Sequence, residues 1–63
     1  MRQLLRASRA KAGKTQKEIA LSIGISERYY QHLEAGTREG KGAIWDQLEN
    51  LFDLPQRDLR KVK

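Results

Sequence analysis

The sequence predicts an all-α fold, a compact bundle of about five short helices, in one domain over residues 1–63. Three observations predict it. Glycine and proline punctuate the chain at Gly13, Gly24, Gly36, Gly40, Gly42 and Pro55. The segments between them carry apolar residues at helical rather than alternating spacing. The chain has 63 residues and no cysteine, so neither disulfides nor thiolate metal sites can staple it, and well-packed helices, or a partner, must hold it. No repeat, low-complexity tract or linker divides it.

The elements follow in order. Residues 3–12 place Leu4, Leu5, Ser8 and Ala12 near one helical face, and Gly13 can take the left-handed conformation that ends a helix. Thr15 is an N-cap candidate, and Glu18 three residues on completes a capping box. The second helix is expected over 16–23, with Ile19, Ala20 and Ile23 as its buried stripe and Gly24 as its stop. Ser26 caps a third helix over 27–35, ended by Gly36. The link between these two helices is only Gly24-Ile25-Ser26, and so short a turn containing glycine marks a helix-turn-helix. In the fourth helix, 43–52, Ile44, Trp45, Leu48, Leu51 and Phe52 share a broad stripe, so Trp45 reads as core rather than as a stacking platform. Pro55 suits the first turn of a short fifth helix, with Leu59 and Val62 inward. The expected interior comprises Leu5, Ile19, Ala20, Ile23, Tyr30, Leu33, Ile44, Leu48, Leu51, Phe52 and Leu59.

Charge narrows the function. Lys and Arg outnumber Asp and Glu by 13 to 8, a net charge of +5. Arg2, Arg6, Arg9, Lys11, Lys14 and Lys17 all precede the first acid, Glu18, and Arg57, Arg60, Lys61 and Lys63 close the chain. Such asymmetry suits a polyanion, although a solvated surface gives the same balance. No apolar run approaches the ~20 residues that span a membrane. Residues 1–17 are basic but lack the apolar stretch of a signal peptide. A cytoplasmic protein with no membrane partner is expected.

Catalysis is not expected. A chain this short buries only about 60% of its unfolded surface and has little room to enclose a substrate. Asp46, Glu49, Asp53 and Asp58 are spread along polar faces. The single histidine, His32, has no cysteine or second histidine to join it, so no metal site, catalytic base or cofactor is expected.

The third helix can be read from geometry alone. At about 100° per residue, Tyr30 and Leu33 lie near one direction, with Tyr29 and Glu34 flanking. Arg28, Gln31 and His32 project oppositely, with Glu27 at their edge. One face can pack while the other offers hydrogen-bonding groups suited to base edges. Tyr29 is either a phosphate-contacting hydroxyl or a half-buried packing residue.

The stretch Thr15-Gln16-Lys17-Glu18-Ile19-Ala20, with Gly24-Ile25-Ser26 and Leu33-Glu34-Ala35-Gly36, resembles the lambda-repressor-like (Cro/CI, XRE) helix-turn-helix family. The resemblance implies a five-helix fold that places the third helix in the DNA major groove. It implies that Gln16 contacts a phosphate and braces that helix, and that Ser26, Glu27, Arg28 and His32 face DNA. Thr37, Arg38 and Lys41 fall in the loop that approaches the backbone. Lys17, Tyr29 and Gln31 complete the expected DNA-binding set. Arg9 and Glu34 match a buried ion pair of relatives. Three features depart from the pattern: Lys14 replaces an apolar residue, Tyr30 a smaller aliphatic one, and Gly40-Lys41-Gly42 stands where a proline often follows the third helix.

The expected function is sequence-specific binding of double-stranded DNA as a transcriptional regulator, a repressor acting as a homodimer on a two-fold operator, bacterial or phage-encoded. Two alternatives stand beside it: the antitoxin of a toxin–antitoxin pair, with a protein partner, and a protein-interaction module that kept the fold.

Overall fold

The computed structural model describes residues 1–62; Lys63, last of the C-terminal basic group, lies outside the described residues. The elements are α1 (Gln3–Lys11), α2 (Gln16–Ile23), α3 (Glu27–Ala35), α4 (Gly42–Phe52) and α5 (Gln56–Leu59), with no strand among the described residues. α2 and α3 have the expected bounds. α1 stops a residue early, with Ala12 as its C-cap, and α4 starts a residue early, at Gly42. Both differences are of the size at which helix ends fray.

The boundaries of α2 and α3 have local causes. The Thr15 hydroxyl accepts from the Glu18 amide at 3.1 Å, and the Glu18 carboxylate accepts from the Thr15 amide at 2.8 Å. Two orphan donors at the start of α2 are thereby satisfied reciprocally. These bonds lower the pKa of Glu18, the backbone bond from Thr15 being the largest cause. Gly24 ends α2 at φ 77°, a left-handed conformation that costs a residue with a Cβ. The Ile25 amide then reaches back to the Ala20 carbonyl at 3.0 Å, the wrap that closes a helix C-terminus. Two residues later the Ser26 hydroxyl accepts from the Tyr29 amide and starts α3.

α3 packs chiefly on α2 and also meets α1, while α5 closes against α1 and α4. The core is Leu5, Ile19, Ala20, Ile23, Tyr30, Leu33, Ile44, Trp45, Leu48 and Leu59, with Ile25, Tyr29, Phe52 and Leu54 against it. Two expected inward residues are corrected. Leu51 is 46% exposed and Val62 51%. At about 100° per residue, the α4 stripe centres between Ile44 and Trp45; Leu51 falls about 20° outside Ile44, whereas Phe52 stays within it. Phe52 is nonetheless only half-buried, being on the last turn. Val62 fails because α5 ends at Leu59, so helical spacing does not carry past it.

Arg2 is the residue that the sequence reading misplaced among the surface bases. It is 3% exposed. Its Nε donates to the Arg60 carbonyl at 2.9 Å, and its Nη1 to those of Leu33 and Arg38 at 2.7 and 2.8 Å. Its guanidinium lies over the Trp45 ring, 5.1 Å from the centroid, so the polar fork is satisfied at its edge and the apolar face is stacked. Trp45 Nε1 in turn donates to the Glu39 carbonyl at 2.8 Å. The loop comes so close here that a Cβ on Gly40 would stand 2.8 Å from Trp45 Nε1 and 2.9 Å from Leu33 Cδ2. With its φ of 78°, that position favours glycine.

Candidate nucleic-acid interface

α3 presents two chemically different sides. Tyr30, Leu33 and Glu34 are buried, and Glu27, Arg28 and Gln31 are exposed on the other side. The buried side is fixed by more than apolar contact. Arg9 Nε donates to Glu34 Oε2 at 2.6 Å and Gln16 Nε2 to Glu34 Oε1 at 3.0 Å. Arg9 Nη1 also donates to the Lys14 carbonyl at 2.9 Å. One carboxylate thus ties α1, α2 and α3 together. The ion pair that the resemblance implied is present, and the bracing function of Gln16 runs through Glu34.

Burial alone would raise the pKa of Glu34, but the hydrogen bonds from Arg9 and Gln16, with Tyr30 beside them, outweigh it and the net shift is downward. The same contact raises Arg9. Burial pushes the Tyr30 phenol far up, and the neighbouring Glu34 carboxylate adds to it. The buried Tyr30 hydroxyl has no hydrogen-bond partner among the described residues, so Glu34 is held by Arg9 and Gln16.

On the exposed side, Ser26, Arg28, Tyr29, His32 and Arg38 line one concavity of about 340 Å³. Five of the residues expected from the sequence therefore converge, four from the start and outer face of α3 and one from the following loop. Tyr29 is half-buried and packs against the core while its edge lines this concavity; the packing alternative describes its ring. The imidazole Nδ1 of His32 is 2.8 Å from the Thr37 hydroxyl. Gln16 and Gln31 line a separate depression with Arg6 and Arg9. Lys17, Glu27 and Lys41 are exposed and outside the first concavity.

Arg2, which the sequence places only among the N-terminal basic residues, supports this site. Its guanidinium holds the carbonyls of Leu33, near the end of α3, and Arg38, in the loop. The loop that carries Thr37 and Arg38 is thereby anchored to the helix that carries Arg28 and His32. No local signal could have found it, because its partners lie 31, 36 and 58 residues away.

A family model described as helix-turn-helix matches residues 5–59. The matched span runs from α1 to the last residue of α5. No curated protein and no solved structure matches the chain.

Proposed function

The chain belongs to the helix-turn-helix family of lambda-repressor-like, XRE type, and from that premise we propose that it is a sequence-specific transcriptional regulator with α3 in the major groove of double-stranded DNA. The observation that carries the proposal is the convergence of Arg28, Tyr29, His32 and Arg38 on one exposed concavity beside a helix clamped from behind. A rigid helix with free polar side chains can meet base edges without paying to order itself.

In this reading Arg28 is the leading base contact, because its planar fork can donate twice to guanine. Glu27 accepts from a cytosine amino group and repels nearby phosphates. Gln31 and His32 read or buttress neighbouring positions. Gln16, Lys17, Ser26, Tyr29, Arg38 and Lys41 serve the backbone, and Thr37 stands against the His32 ring. One reading helix covers few base pairs, so two copies act on two half-sites as a homodimer. The protein represses, and works in the cytoplasm of a bacterium or of a phage-infected cell. No helix is long and apolar enough to cross a membrane among the described residues.

Selection of sites from random duplex DNA tests the proposal. The expected result is a short enriched motif repeated with two-fold symmetry. A folded protein that enriches no motif overturns it and favours the protein-interaction alternative.

A further inference from the structure

We infer that Thr37 sets the imidazole of His32 as a hydrogen-bond donor, so that His32 and Arg28, side by side in one concavity, select the acceptor edge of guanine. The inference deepens the DNA-binding reading and rests on it.

The His32 carbonyl accepts the Gly36 amide at 3.0 Å and the Thr37 amide at 3.1 Å as α3 closes. A carbonyl oxygen has two lone pairs, and both are engaged. The Thr37 hydroxyl has two acceptors in reach for its proton, that oxygen at 3.4 Å and Nδ1 of the His32 ring at 2.8 Å. A hydroxyl has one proton to give. With the carbonyl doubly occupied and farther away, the proton goes to Nδ1.

The tautomer follows from the hydrogen-bond network. A neutral imidazole that accepts at Nδ1 carries its own proton on Nε2. Thr37 is therefore a positioning residue, and the neutral His32 ring is a donor through Nε2.

The surroundings decide what such a donor meets. Arg28 only donates, Arg38 on the loop side is the phosphate contact, and no carboxylate lines the concavity. In the major groove guanine presents two acceptors, N7 and O6. Adenine couples an acceptor with a donor, cytosine presents a donor, and thymine presents an acceptor beside a methyl group. A wall dominated by donors fits guanine best. A phosphate oxygen offers the same acceptor chemistry, and the experiment separates the two.

His32 is the single histidine of the chain, so its ring nitrogens give one set of signals in a ¹⁵N spectrum. The neutral ring should show the Nε2–H tautomer in the parent and in Thr37→Ser, and a mixed pattern in Thr37→Val. An Nδ1–H parent, or a Thr37→Val spectrum identical to the parent, overturns the inference. In binding-site selection, His32→Ala and Thr37→Val should each lower the preference for guanine at one position of the half-site about five-fold, the worth of one hydrogen bond. An equal loss on all sequences would mark a phosphate contact and overturn the guanine assignment. A parent that binds no duplex overturns the DNA-binding reading and the guanine assignment together. The tautomer is read on the free protein, so that failure is distinguishable from a wrong tautomer.

Discussion

Glu34 shows how one residue can carry both the fold and the placement of the site. Its side chain is 5% exposed and that of Arg9 17%, so neither charge is well solvated. An ion pair taken from water this far adds little net stability by itself, but removing one partner strands the other. Glu34→Ala leaves Arg9 and Gln16 without their acceptor, at a cost of about 3 kcal/mol. For a domain of this size that lowers the thermal midpoint by roughly 12 °C or more. A midpoint within two degrees of the parent would contradict the clamp. The pKa of Glu34 is lowered in the folded state. A depressed carboxylate contributes stability that is complete above its unfolded pKa and is lost as pH falls through the lower folded value. Denaturant midpoints measured from neutral pH downward should therefore hold level and then fall below the ordinary glutamate range. Glu34→Gln, which has no proton to gain there, should start lower and fall less; parallel curves would show that another carboxylate dominates the acid limb.

At the scale of elements, α3 is held at both ends by different means. Ser26 caps its start, and Arg2 holds its Leu33 carbonyl together with the loop carbonyl of Arg38. Arg2→Lys keeps the charge but has neither the fork nor the stacking plane. We expect a stability loss of about 2 kcal/mol, with amide exchange accelerated over residues 36–41 and little changed in α2. Uniform acceleration would mean that Arg2 supports the fold generally and not this junction. Arg28 lies on the exposed side of the same helix. Arg28→Ala should leave the thermal midpoint nearly unchanged, cost about 1–3 kcal/mol on the preferred site and relax preference at one base pair. Equal losses on specific and non-specific DNA would reassign it to the backbone. These elements also show what could be read from the sequence. α2 and α3 were legible to the residue because Thr15, Glu18, Gly24, Ser26 and Gly36 act on neighbours three to five positions away. Leu51 was misread because a stripe shows which residues share a helix side, not which edge its partners cover. Arg9–Glu34 was reachable only through the family resemblance, and Arg2 not at all, since its carbonyl partners are assembled by the tertiary fold.

Across the whole molecule, the charge count overstates what is free to meet a polyanion. Of 13 Lys and Arg, Arg2 is buried on three carbonyls and Arg9 is paired with Glu34. Arg60 also lies over the Trp45 ring, 5.8 Å from its centroid, and is half-buried. The cations in the proposed backbone set are Lys17, Arg38 and Lys41, all exposed. Each phosphate neutralised on duplex DNA releases condensed counterions and contributes about −0.9 to the slope of log affinity against log salt. Two copies using three cations each should therefore give a slope of about −5 on a two-fold site. Arg38→Ala should make that slope shallower by about 2 for the dimer and weaken all sequences nearly alike. Arg28→Ala should change sequence preference with less effect on the slope, because a base edge has no condensed counterion to release. Titrations of one preferred and one scrambled duplex between low and moderate salt check both statements. A flat salt dependence would remove the phosphate contacts from the proposal. An unchanged slope in Arg38→Ala would remove the loop from the interface while leaving the reading helix in place.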